Sequence, residues 1–189
     1  MRSTLMCMAL SGSLLDPAFA HTGAEQINSF ASGIAHPISG VDHILTMVTI
    51  GLWSVLAGGR AMWVWPSAFV GAMLIGYATA TLGLQVPFVE AAIWSSIAVL
   101  GLLVAIGVKA PVWIGAAIAG TFAFFHGHAH GTEVAPGLTA YASGFALATA
   151  GLHVVGIGLG LFADGRIGKG ALRTMGGLAV LGALGLMVA

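Results

Sequence analysis

Six apolar stretches follow one another along the chain, at about 37–57, 62–82, 87–108, 111–129, 137–162 and 171–188. Each is near or above the roughly 20 residues that a helix needs to cross about 30 Å of hydrocarbon. Only 6% of the residues are charged and mean hydropathy is +1.01, whereas a soluble domain carries roughly 25% charge. So few charges cannot cover a globular surface. The expected fold is all-α: a polytopic membrane protein with six transmembrane helices and the lipid bilayer as its surroundings. Formal net charge is zero, so no nucleic acid is expected as a partner. The 29 glycines suit close helix packing, and such small-residue faces leave room for a homo-oligomer.

The first twenty residues read as a cleavable signal peptide. Arg2 is the basic start, Leu5 to Leu15 the apolar stretch, and Ala18, Phe19 and Ala20 fit the A-x-A cleavage pattern. Residues 21–189 then form a single six-helix domain. Cys7, the only cysteine, would leave with the leader, so no thiolate ligand is expected. Pro37, Pro87, Pro111 and Pro136 mark helix starts. The segment from His21 to Ala35, with Ile27, Phe30 and Ile34 on one side, reads as a short interfacial helix.

Basic residues set the orientation. Arg60, Lys109, Arg166, Lys169 and Arg173 all fall in or beside the connections at one side of this six-span frame. The positive-inside rule makes that side cytoplasmic, which puts the mature N-terminus and the C-terminus outside. Cleavage after Ala20 requires the same N-out, C-out arrangement.

The polar residues then gather in the outer half. His36, Asp42 and His43 lie in "HPISGVDHILTM" at the outer end of span one. Glu90 sits one turn inside span three. His126, His128, His130 and Glu133 lie in "FHGHAHGTE" at the end of span four, and His21 would be the first mature residue. Asp164, in the basic turn, reads as a solvated charge. An ionisable group inside a span costs roughly 2.5–3.5 kcal/mol unless it is paired or faces a cavity, so Asp42 should have a partner: His43, His126, a cation or water.

His126, His130 and Glu133 are spaced i, i+4, i+7 and share a helical face. Two imidazoles and a carboxylate suit a borderline divalent metal. His128 faces away unless Gly127 and Gly131 unwind the helix. His36 and His43 lie about 10 Å apart along a regular helix, so His36 reads as a separate entry site or a cap on span one. Glu90 reads equally as favourable charge at a helix N-terminus. His153, deep in span five, reads equally as a hydrogen-bonded packing residue or as a second station. Met47 reads as packing, and "GIGLG", Gly156 to Gly160, as close helix packing within a span.

These elements resemble the HupE/UreJ family of nickel and cobalt permeases. The family's H-P-x-x-G-x-D-H pattern is matched by His36, Pro37, Gly40, Asp42 and His43. Its F-H-G-x-A-H-G-x-E pattern is matched by Phe125, His126, Gly127, Ala129, His130, Gly131 and Glu133. "GFALATAGLHVVGIGLG" in span five, a leader and six spans are similar too. His128 falls at the variable position. The resemblance implies a multi-pass protein of the bacterial inner membrane that imports Ni²⁺ or Co²⁺ for a hydrogenase or urease.

The reading that follows is a permease with a transported ion and no prosthetic group. His126, His130, Asp42 and His43 form the transport site. Glu133, Glu90, His36 and His21 form an outer capture funnel, in which a free amine and imidazole at His21 could chelate. The ligands are nitrogen and oxygen, whereas Cu(I) would favour Cys and Met. No nucleotide motif is present. An enzyme is not expected: H-E-x-x-H and G-x-S-G are absent, and "YASG" at Tyr141 to Gly144 lacks the first glycine. A membrane metal sensor or metallocentre-assembly partner that does not transport would carry the same ligands.

Overall fold

The computed structural model describes residues 29–133 and 139–188. Residues 1–20, which read as a signal peptide, together with His21, Ile27 and Pro136, lie outside the described residues. Seven helices account for nearly all of the rest: α1 (Phe30–Ser39), α2 (Val41–Ala57), α3 (Ala61–Thr81), α4 (Val89–Ile106), α5 (Val112–Glu133), α6 (Thr139–Arg166) and α7 (Lys169–Val188). No strand occurs among the described residues.

Span one departs from the expectation of a single helix that starts at Pro37. It is two helices, α1 and α2, bent by 82°. Ser29 starts α1 with a capping box: its Oγ accepts from Ser32 N at 3.1 Å, and Ser32 Oγ accepts from Ser29 N at 2.9 Å. Pro37 therefore lies inside α1. The break falls at Gly40, whose extended backbone (φ −84°, ψ 116°) ends one helix and begins the next. The side of α1 that packs is Gly33 and Pro37, while Phe30 is exposed, so the Phe30–Ile34 side is not its packing face.

Among the described residues, four helices are long and apolar enough to cross a membrane: α3, α4, α6 and Lys169–Met187 of α7. The bent pair makes a fifth if counted as one span. Helix α5, at 22 residues, is not among them, because three histidines and Glu133 lower the hydropathy of its last turns.

Helix α3 packs chiefly on α5, α1 and α2 pack on α6, and α4 packs on α7. The inward stripe of α3 is Trp65, Phe69, Met73 and Tyr77, at a spacing of four. Backbones approach closely where glycine permits. A Cβ on Gly127 would overlap the Met73 carbonyl, and one on Gly33 would overlap the Tyr141 carbonyl. Gly156 and Gly160 of "GIGLG" pack on Val48 and Val55 of α2 in the same way.

The basic residues share one end of the bundle. Arg60 is the N-cap of α3. Trp53 Nε1 donates to the Val108 carbonyl at 2.9 Å, and Trp65 Nε1 donates to the Val112 carbonyl at 2.8 Å. Arg173 Nε donates to the Ala105 carbonyl at 2.8 Å. These bonds tie the α2–α3 turn and the start of α7 to the α4–α5 turn, which carries Lys109. The histidine clusters lie toward the opposite end.

Candidate metal centre

The bend at Gly40 brings His36 and His43 together. On one regular helix they would stand about 10 Å apart. Across the bend their ring centroids are 5.3 Å apart, and His36 lies 4.3 Å from His130 of α5. One ligand nitrogen from each of His36, His43 and His130 falls within 4.8 Å of the others. His36 thus stands beside His43 and His130, because the regular helix that would keep it apart from His43 is broken at Gly40. A Cβ on Gly40 would stand 2.8 Å from His43 Nδ1 and 2.9 Å from Asp42 Oδ1, so a side chain there would press on the Asp42–His43 pair.

Two carboxylates stand behind two of the rings. Asp42 Oδ1 lies 2.9 Å from His43 Nδ1, and Glu133 Oε2 lies 3.3 Å from His130 Nδ1. A carboxylate at Nδ1 favours the proton there and leaves the Nε2 lone pair free for a metal. The two Nε2 atoms face each other at 2.6 Å. Two lone pairs at that separation repel unless a cation, either a proton or a metal ion, lies between them. Nitrogens bound to one ion such as zinc at about 2.1 Å are at most about 4.2 Å apart. The trio therefore reaches metal geometry with side-chain movements of about 1 Å. Asp42 has the partner that its depth demands, and it is His43.

His126 is fully buried one turn below His130, with its ring 5.3 Å from His43. Its Nε2, however, contacts Ser96 Oγ at 3.1 Å. The structure therefore sets it beside the trio, with Ser96 as its polar partner. His128 points to the other side of α5, where Nε2 donates to the Leu84 carbonyl at 2.8 Å. The glycines do not unwind α5, which runs unbroken to Glu133 because Gly127 and Gly131 are pressed on α3. His153 lies on α6, with the Phe69 ring between it and His126. Ser96 and Phe145 were not singled out from the sequence. Phe145 packs on His130 at 4.9 Å, His43 at 6.2 Å and His36 at 6.4 Å. One serine and one phenylalanine in a chain of this composition carry no signal of their own.

The trio opens into a cavity of about 300 Å³ lined by His36, His43 and His130 together with Asp42, Glu90 and Glu133. A neighbouring cavity of about 610 Å³ shares Glu90 and Glu133 and also reaches His128. Three carboxylates around one mouth attract cations and raise their local concentration. Glu90, exposed in the first turn of α4, contributes to that mouth.

Comparison with known proteins agrees with the motifs. The chain matches the family described as HupE / UreJ protein over residues 8–187. It is 44% identical over 173 residues to Protein HupE of Rhizobium leguminosarum bv. viciae, which covers 90% of each chain. No solved structure matches.

Proposed function

The chain belongs to the HupE/UreJ family, and from that premise we propose that it is a multi-pass permease of the bacterial inner membrane that imports nickel or cobalt. The observation that carries this reading is the pair of facing imidazoles, His43 and His130, each with a carboxylate at its far nitrogen and with His36 alongside. Neutral imidazoles backed by carboxylates suit a borderline divalent ion. Their place at a carboxylate-rimmed mouth suits an ion that enters from outside. The ion binds in exchange for its hydration shell and must still be able to leave. It is cargo for a hydrogenase or urease, and the chain carries out no chemical conversion.

The topology that supports import is six spans after a cleaved leader, with both mature ends outside. In this reading α1 and α2 are one broken span. Unwound or broken helices in membranes occur where they line a site, and Gly40 lies beside His43. Helix α5 is the fourth span and completes the six, and its polar outer turns face the cluster instead of lipid. The basic end, with Arg60, Lys109, Arg166, Lys169 and Arg173, faces the cytoplasm.

The test is accumulation of labelled Ni²⁺ and Co²⁺ by cells that express the protein, with both ions competing at trace concentration. Wild type should accumulate one or both. His43→Ala and His130→Ala should reduce uptake to the level of cells without the protein. Binding by the purified protein without accumulation would support a non-transporting metal sensor or assembly protein instead.

A further inference from the structure

A seventh histidine lies well below the cluster. His153 on α6 is 1% exposed, about 21 Å from the start of its helix. Neither ring nitrogen has a hydrogen-bond partner among the described residues. A hydrogen-bonded packing histidine satisfies at least one of these nitrogens, because an unpaired buried polar group costs about 1–3 kcal/mol. His128 shows the packing pattern, with its bond to Leu84. His153 does not.

Its surroundings give it a place in a sequence of sites. Phe69 of α3 stands between it and the outer histidines, with ring centroids 5.0 Å from His153 and 6.0 Å from His126. Phe69 is wholly buried, and Trp65, one turn further toward the basic end, packs against Trp53 at 4.2 Å. Those two indoles fill the bundle interior below Phe69. The space beside His153 is a groove of about 490 Å³ between α3 and α6, lined by Pro66, Val70, Ala150 and His153 and open to the outside of the bundle at the exposed Trp63 and Val154. That groove lies at the basic half of α3, away from the mouth that the carboxylates rim.

We propose that His153 is an inner station, a single-imidazole ligand that takes the divalent cation after it leaves the outer histidines, with Phe69 as the partition between the two. This inference rests on the permease reading. A lone imidazole binds a divalent ion far more weakly than three convergent ones, which is what release toward the far side requires. An ionisable side chain held deep in a span without a partner fits a position on an ion path.

Purified full-length protein in liposomes that hold an Ni²⁺-sensitive dye provides the test, with Ni²⁺ binding measured separately by equilibrium dialysis. Wild type should show influx. Binding without influx in the wild type would defeat the permease reading itself, and with it the inner station. His153→Gln should keep Ni²⁺ affinity within about twofold of wild type, because the outer histidines are intact, while influx falls at least tenfold. Influx at the wild-type rate would overturn the proposal. If His153→Gln loses binding as well, the decision passes to His153→Cys in a Cys7→Ser background. A thiolate at an ion station captures soft Cd²⁺, so the Cd²⁺ concentration that halves Ni²⁺ influx should drop at least tenfold. An unchanged Cd²⁺ sensitivity overturns the proposal.

Discussion

His43 and His130, 87 residues apart in sequence, aim their Nε2 atoms at each other across 2.6 Å. Asp42 and Glu133 stand at the opposite nitrogen of each ring. The carboxylate beside each Nδ1 favours the proton there, and a contact this short between the Nε2 atoms needs a proton or a metal ion between them. A proton shared between the two rings would be displaced by a divalent ion. Nickel binding should therefore release about one proton per ion from this pair. Calorimetry in buffers of different ionisation enthalpy reads that number directly. Release of no proton would mean that the pair does not share one.

The two carboxylates should matter unequally. Asp42 is the closer, at 2.9 Å, and its side chain is 28% exposed, against 3.3 Å and 61% for Glu133. Removing such a partner usually costs 10–100-fold in metal affinity. Asp42→Asn should fall in the upper part of that range and Glu133→Gln in the lower part. Equilibrium dialysis with Ni²⁺ ranks them, and equal losses would mean that exposure does not weaken the Glu133 contact.

Acid should weaken binding. The three imidazoles must be neutral to ligate, so protons compete with the metal, and affinity falls as pH drops. Titrating Ni²⁺ affinity downward from neutral pH should show a loss as the imidazoles take up protons. An affinity that does not change as the pH falls would point to ligands other than histidine.

Close packing of α3 on α5 predicts a contrast between two glycines. A Cβ on Gly127 meets the Met73 carbonyl, whereas one on Gly71 has nothing within 4 Å. Gly127→Ala should destabilise by about 1–3 kcal/mol through overpacking. Gly71→Ala should stabilise by roughly 0.5–1 kcal/mol, because alanine loses less freedom in a helix. Thermal unfolding in detergent separates the two.

The helices after the first bent pair were legible because hydropathy reports a local property, and their boundaries fall within a few residues of the apolar stretches. The site was legible in part. The pairing of Asp42 with His43, and the shared face of His130 and Glu133, follow from spacing along one chain segment. The approach of His36 to His43 and His130 was not legible. It depends on the 82° bend, and Pro37 beside a long apolar run reads as the start of a helix when the Ser29 capping box is not considered. His126 has the spacing of a ligand, yet its polar partner, Ser96, comes from α4, 30 residues away. Gly127 and Gly131 next to histidines suggest a loosened helix. Their reason for being glycine is the backbone of α3, which no single segment reveals.

X-ray absorption at the nickel edge of the loaded protein tests the convergence of His36, His43 and His130 on one ion most directly, because it counts imidazole ligands. Three should be seen in the wild type, at about 2.0–2.1 Å by analogy with zinc. The count should drop to two in His36→Ala and stay at three in His126→Ala. A count that is unchanged in His36→Ala and reduced in His126→Ala would contradict the assignment of the centre.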